Sequence, residues 1–125
     1  MSLGKLFVHV VEAKLTHDTE FLGKMDPYVK MNYREQNWKS STHQDGGKHP
    51  KWFQQCFEIE VKYEGDQLNF AVWDAEVLKD DLVGEGSEKI SSFTIEGGSD
   101  EWYEIQYKGK PAGRIHLRCD WQPYH

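Results

Sequence analysis

Apolar and polar residues alternate along at least five short segments of this chain, and this period of two restricts its fold more than any other feature. The apolar positions are Leu6, Val8 and Val10; Val29, Met31 and Tyr33; Phe57, Ile59 and Val61; Leu68, Phe70 and Val72; and Ile115, Leu117, Cys119 and Trp121. Successive side chains of a strand point to opposite faces, so each segment predicts a β-strand with one face in a core.

Turn signals separate these segments, including Gly46-Gly47, Gly65-Asp66, Gly97-Gly98 and the run Lys108-Gly109-Lys110-Pro111. No stretch of about 12 residues or more has a convincing helical period. Many short strands joined by polar turns predict an all-β fold, either an antiparallel sandwich or a barrel.

The length of 125 residues predicts one domain over residues 1–125, large enough to bury a core without a structural metal or a disulfide. The aromatic content of 14% also indicates a packed core rather than disorder. Cys56 and Cys119 both lie in strand-like runs, which favours reduced small side chains in a cytosolic protein.

The net charge of −6 disfavours nucleic acid as a partner, because nucleic acid requires a basic face. An acidic protein that meets a membrane needs a bound cation or a local basic patch. No run approaches the roughly 18 apolar residues of a membrane-spanning helix, and the first residues lack the apolar stretch of a signal peptide. We therefore expect a cytoplasmic protein.

Carboxylates concentrate in two predicted loops. The first acidic loop, residues 18–26, contains Asp18, Glu20 and Asp26; the second acidic loop, residues 74–81, contains Asp74, Glu76, Asp80 and Asp81. Loops of a sandwich lie at its two ends, so these two can converge at one end. Proline also holds its predecessor extended, which gives the carboxylate of Asp26 in Asp26-Pro27-Tyr28 a fixed place at the start of a strand.

Converging carboxylates repel one another, and a hard divalent cation relieves that repulsion. Ca²⁺ accepts six to eight oxygen ligands with flexible geometry, whereas Mg²⁺ requires a strict octahedron and Zn²⁺ prefers Cys or His. The pattern favours Ca²⁺ as the cofactor. A solvated acidic loop without a metal is the alternative that composition leaves open.

Each acidic loop also carries an apolar pair, Phe21-Leu22 in the first and Val77-Leu78 in the second. Exposed apolar side chains at a loop tip are typical of a surface that enters a membrane interface. The alternative is that these side chains fold back onto the end of the sandwich.

These residues together resemble the C2 domain family over nearly the whole chain. The matching stretches are residues 4–13, 21–29, 68–76, 80–85 and 113–117, together with the turn His49-Pro50-Lys51-Trp52. The resemblance implies an eight-stranded antiparallel β-sandwich. Because the chain begins at the strand before the first acidic loop, it also implies the circularly permuted topology.

The resemblance further implies a set of Ca²⁺ ligands, which map onto Glu20, Asp26, Asp74, Glu76 and Asp81. Glutamate replaces the family's usual aspartate at Glu20 and Glu76. The second acidic loop is also one residue short, so Asp80 and Asp81 remain alternatives for the last position.

The function that follows is Ca²⁺-dependent binding of a monomer to an anionic phospholipid membrane, with Phe21, Leu22, Val77 and Leu78 at the interface. Catalysis is not expected. A basic face of Lys30, Arg34 and Lys39 is predicted to assist, although a solvated strand face is the alternative interpretation. The rival function is a Ca²⁺-independent module that binds protein or lipid and has a degenerate metal site.

Overall fold

Eight β-strands account for most of the chain in the computed structural model, which describes residues 1–125. They are β1 (Gly4–Leu15), β2 (Pro27–Tyr33), β3 (Gln36–Lys39), β4 (Cys56–Val61), β5 (Gln67–Asp74), β6 (Asp81–Lys89), β7 (Gly98–Tyr107) and β8 (Lys110–Pro123). Two short 3-10 helices, Ile90–Ser92 and Ile95–Gly97, connect β6 to β7. No helix is long and apolar enough to cross a bilayer.

All strand pairs are antiparallel, in the order β3-β2-β5-β6-β7-β8-β1-β4. Only the pairing of Glu85 with Gln106 joins β6 to β7, so the strands form two four-stranded sheets that face each other. The predicted antiparallel sandwich is thereby confirmed. The circularly permuted topology stays a prediction.

The side chain of Gln36 closes the gap between the two edge strands. Its Nε2 donates to the carbonyl oxygen of Glu60 at 3.0 Å, and its Oε1 accepts the Glu60 backbone N–H at 2.9 Å. A side-chain amide thus substitutes for a strand partner and protects an edge that would otherwise be open to another chain.

The core between the sheets is a cluster of 25 buried residues. Leu6, Val8 and Val10 are buried as their alternation predicts. A β-bulge between Val10 and Glu12 then shifts the alternation of buried and exposed side chains by one residue, so that Ala13 and Leu15 face inward. The bulge therefore keeps the inner face of β1 apolar up to the first acidic loop.

Strand direction places four connections at one end of the sandwich, which we call the loop end. These connections are residues 16–26 between β1 and β2, 40–55 between β3 and β4, 75–80 between β5 and β6, and 108–109 between β7 and β8. Both acidic loops therefore lie at the same end.

Candidate metal centre

Asp74 is the residue around which the two acidic loops meet. It ends β5 and is buried, with one carboxylate oxygen accepting the backbone N–H of Asp26 at 2.8 Å and the other accepting the hydroxyl of Thr19 at 2.8 Å. The backbone N–H of Ala75 also donates to the carbonyl oxygen of Asp26 at 3.0 Å. These bonds confirm the predicted convergence of the loops.

Three carboxylates come together at this point. One oxygen from each of Glu20, Asp74 and Glu76 lies within 4.8 Å of the other two. Ligands on opposite sides of an ion with bonds of about 2.4 Å lie about 4.8 Å apart. The spacing and the all-oxygen donor set thus fit Ca²⁺, and no His or Cys is present to favour Zn²⁺.

The electrostatics of the cluster indicate that it favours a cation. The hydrogen bond between Glu20 and Asp74, followed by that with Glu76, raises the pKa of Glu20 from 4.5 to about 8. Burial opposes ionisation of Asp74, but hydrogen bonds from Glu20, Asp26 and Thr19 outweigh it and lower the pKa of Asp74. The carboxylates therefore resist being ionised together, and a divalent cation would relieve that repulsion.

Asp80 has a different role from the three clustered carboxylates. Its Oδ1 accepts the backbone N–H of Glu76 at 2.9 Å, and its Oδ2 accepts the hydroxyl of Tyr28. The bond from Glu76, with that from Tyr28 second, lowers the pKa of Asp80. Both oxygens are thus engaged within the protein, and Asp80 braces the second acidic loop against β2.

Asp26 and Asp81 lie beside the cluster and are not among its three members. Oδ1 of Asp26 accepts the backbone N–H of Asp45 at 2.7 Å, which brings in the connection between β3 and β4. Asp81 opens β6 opposite Asp74 and lines a recess of about 260 Å³ with Thr19. The sequence gives no sign of the contact between Asp45 and Asp26, because Asp45 lies in a polar stretch without a pattern.

The apolar side chains of both loops stand in solvent. Phe21 is 98% exposed, Leu22 80%, Val77 99% and Leu78 97%. The alternative that they fold back onto the sandwich is therefore wrong. The loop end presents one exposed apolar tip from each acidic loop.

Two of the three predicted basic residues share a surface. Lys30 and Lys39 are paired across β2 and β3, with the Lys30 ammonium 4.8 Å from the Trp73 ring centroid and that of Lys39 4.4 Å from the centroid of Tyr28. They border a groove of about 760 Å³ on the outer face of the sheet that contains β2 and β5. The tryptophan side chains that line this groove, Trp38 and Trp73, were not predicted from the sequence.

Arg34 does not belong to this basic face. It lies in the turn after β2, at the end opposite the loop end, where its Nε is 2.7 Å from the carboxylate of Asp66. Alternation along the strand places Arg34 in line with Lys30, but the chain turns after Tyr33 and carries the guanidinium away.

Neither cysteine is an activated nucleophile. Cys119 is buried and Cys56 half-buried, both as free thiols. Burial raises the pKa of the Cys119 thiol to about 12 and also raises the pKa of Cys56. A catalytic thiol needs the opposite shift.

Comparison with known proteins identifies relatives of this arrangement. A family model described as "C2 domain" matches residues 4–105. Human extended synaptotagmin-1 is 32% identical over 122 residues, which cover 92% of this chain but 11% of that protein. The 16 kDa phloem protein 2 of Arabidopsis thaliana is 35% identical over 98 residues, covering 78% of this chain and 66% of the relative.

Solved structures share the fold. A C2 domain-containing protein from a putative elicitor-responsive gene has a TM-score of 0.82 and 31% identity, covering 99% of this chain and 92% of its own. A calcium-bound structure of two consecutive C2 domains of extended synaptotagmin 2 has a TM-score of 0.82 and 28% identity, covering 97% of this chain and 46% of its own. In the sequence comparison, this chain spans about a tenth of the length of extended synaptotagmin-1.

Proposed function

The chain belongs to the C2 domain family, and from that premise we propose that it binds Ca²⁺ at its loop end and thereby docks onto anionic phospholipid membranes. The observation that carries this proposal is the group of three carboxylate oxygens within 4.8 Å, contributed by two loops with exposed apolar tips. The proposed role is binding, with no catalytic step.

Glu20, Asp74 and Glu76 would hold the ion, with Asp26 and Asp81 completing the oxygen shell after small side-chain movements. Glutamate is a normal Ca²⁺ ligand, so Glu20 and Glu76 do not argue against the site. The calcium-bound structure of a 28% identical relative supports this assignment by similarity.

Bound Ca²⁺ would change the charge of the loop end from negative to positive. Acidic tips repel an anionic bilayer, and each bound ion adds two positive charges that can bridge to lipid phosphates. Phe21, Leu22, Val77 and Leu78 can then enter the interface, where burial of apolar area contributes about 25 cal/mol per Å². We propose a monomer with residues 1–125 as one domain, acting at the cytoplasmic surface of a membrane.

The groove bordered by Lys30 and Lys39 favours a second candidate function. Its two ammonium groups form no ion pairs with carboxylates, so the groove can bind an anionic lipid or an acidic protein segment without Ca²⁺. In that case the carboxylate cluster would be a degenerate metal site.

A calorimetric Ca²⁺ titration, combined with co-sedimentation on phosphatidylserine vesicles in Ca²⁺ or EGTA, tests the proposal. We expect Ca²⁺-dependent pelleting and stabilisation by about 2.7 kcal/mol at a hundred times the Kd. Glu76→Gln should weaken Ca²⁺ binding at least about tenfold. Glu96→Gln, the same change in an exposed residue at the opposite end, should not. Equal pelleting in Ca²⁺ and EGTA, without heat of Ca²⁺ binding, would select the Ca²⁺-independent function.

A further inference from the structure

The turn between β7 and β8 is a basic element at the loop end that the proposed site does not use. Lys108 and Gly109 form this turn with positive φ angles of 49° and 78°, as in tight two-residue hairpins. The four residues from Lys108 to Pro111 are all exposed. The hairpin therefore presents the ammonium groups of Lys108 and Lys110 to solvent on a short, well-defined support.

The strand register places this hairpin level with the carboxylate cluster. Glu85 of β6 pairs with Gln106 of β7, so the chain three residues beyond Gln106 reaches the level of Leu82. Tyr107, Asp81 and Thr19 line the same recess, and Thr19 donates to Asp74. Insertion of the apolar tips by about 5–10 Å would thus bring the hairpin into the headgroup region.

Contacts with Thr16 and His17, just before the first acidic loop, hold the hairpin in place. The rings of Tyr107 and His17 are stacked, with centroids 4.2 Å apart, and Nδ1 of His17 lies 2.7 Å from the carbonyl oxygen of Val83. The backbone N–H of Thr16 donates to the carbonyl oxygen of Ala112 at 2.8 Å. The hairpin and the carboxylate cluster should therefore approach a surface as one unit.

The charge of the hairpin is free to act on a partner. Neither Lys108 nor Lys110 forms an ion pair with a carboxylate. The Lys108 ammonium lies 5.3 Å from the centroid of the Tyr107 ring, which orients it without neutralising it. Lys30 and Lys39 belong to the other sheet, so the two lysine pairs flank the carboxylate cluster on different sides.

We propose that Lys108 and Lys110 form a separate contact with anionic lipid headgroups in the bilayer that receives the loop tips. This inference rests on the proposed function, because the tips must dock for the hairpin to reach the headgroups. The contact adds affinity for the bilayer. It also fixes the tilt of the sandwich, because contacts with the bilayer on both sides of the cluster prevent the domain from rocking about its loop tips.

The test compares Lys108→Gln/Lys110→Gln with Lys62→Gln/Lys89→Gln, which removes the same charge at the opposite end of the sandwich. Binding is measured on vesicles of about 30% phosphatidylserine in phosphatidylcholine at saturating Ca²⁺. We expect the hairpin pair to lose about fivefold in affinity per lysine and to show a shallower dependence on salt. The control pair should change less than about twofold at this distance, because salt screens the interaction.

The Ca²⁺ affinity of the hairpin variant without vesicles should equal that of the wild-type chain, which separates lipid contact from damage to the metal site. Equal losses in the two variant pairs would show that net charge alone matters and would overturn the role of the hairpin only. A wild-type chain that binds Ca²⁺ but no vesicles would overturn both the membrane function and this inference.

Discussion

At the level of single residues, the two neighbouring aspartates of the second acidic loop have different surroundings. Asp80 accepts one hydrogen bond from Glu76 and one from Tyr28, whereas Asp81 faces the recess beside Asp74. Tyr28 is buried, and burial and then the bond to Asp80 raise its pKa. The Tyr28–Asp80 bond thus fixes the loop that points Glu76 at the cluster.

Tyr28→Phe should weaken Ca²⁺ binding about three- to tenfold, because removing the hydroxyl frees the loop without removing a ligand. Asp80→Ala removes the acceptor of the same bond together with the acceptor of the Glu76 backbone N–H, and it should weaken Ca²⁺ binding at least as much. The double variant should be little worse than Asp80→Ala alone. Calorimetric Ca²⁺ titration measures all three.

Tyr33→Phe is the matched control. Tyr33 is also buried and donates to a carboxylate, that of Asp66 at 2.6 Å, but at the opposite end. It should cost at least as much stability as Tyr28→Phe, about 1.5–3 kcal/mol for the hydrogen bond to a charged group, because the Tyr33 hydroxyl also accepts the backbone N–H groups of Lys62 and Tyr63. It should leave Ca²⁺ affinity unchanged. A loss of Ca²⁺ affinity in Tyr33→Phe would assign both effects to general destabilisation.

At the level of elements, the close contact between β1 and β8 sets the base of the first acidic loop. Gly113 of β8 pairs with Leu15, the last residue of β1. Its φ of 133° is unfavourable for other residues, and a Cβ atom there would overlap the backbone carbonyl of Lys14. Glycine at this position lets the two strands meet beside the loop.

Gly113→Ala should destabilise the protein by at least about 2 kcal/mol, because backbone strain and steric overlap act together. Gly109→Ala separates the two causes: its φ is also positive, at 78°, but open space surrounds the position of the added Cβ. It should cost only the strain of the left-handed conformation, about 1–2 kcal/mol, and less than Gly113→Ala, because no steric overlap is added. Urea unfolding of both variants measures the difference, and equal costs would contradict the steric explanation.

Across the molecule as a whole, polarity and charge are unevenly distributed. The chain carries a net charge of −6, yet its loop end combines a carboxylate cluster, exposed apolar tips and unpaired lysines on both sheets. Such a surface repels an anionic bilayer until a cation neutralises the carboxylates.

Val77→Ser/Leu78→Ser should reduce affinity for phosphatidylserine vesicles at least about tenfold, because full burial of a Val or Leu side chain contributes about 1.5–3 kcal/mol. Ca²⁺ affinity in solution should stay the same, since neither side chain contacts the cluster. Ile95→Ser, an exposed apolar residue at the opposite end, serves as the control and should leave vesicle binding unchanged. Equal losses in the two variants would remove the tips from the binding surface.

Local sequence patterns predicted five of the eight strands, β1, β2, β4, β5 and β8, and the position of the acidic loops, whereas β3, β6 and β7 had no clear alternation. Alternation such as that of Leu6, Val8 and Val10 reports the local environment of each side chain, and it needs no knowledge of the partner strand. Turn residues and the two clusters of carboxylates are likewise local features, so an antiparallel all-β fold and the candidate cofactor could be predicted, while the choice of a sandwich over a barrel came from the family resemblance.

How individual side chains are used could be learned only from the folded molecule. The grouping of Glu20 with Asp74, the bracing role of Asp80 and the removal of Arg34 from the basic face all depend on strand register and loop geometry. The exposure of Phe21 and the position of Tyr107 in the recess beside Asp81 depend on them as well. The physical reason is that contacts between residues tens of positions apart are set by the pairing of whole strands, and a shift of one residue turns a side chain to the opposite face.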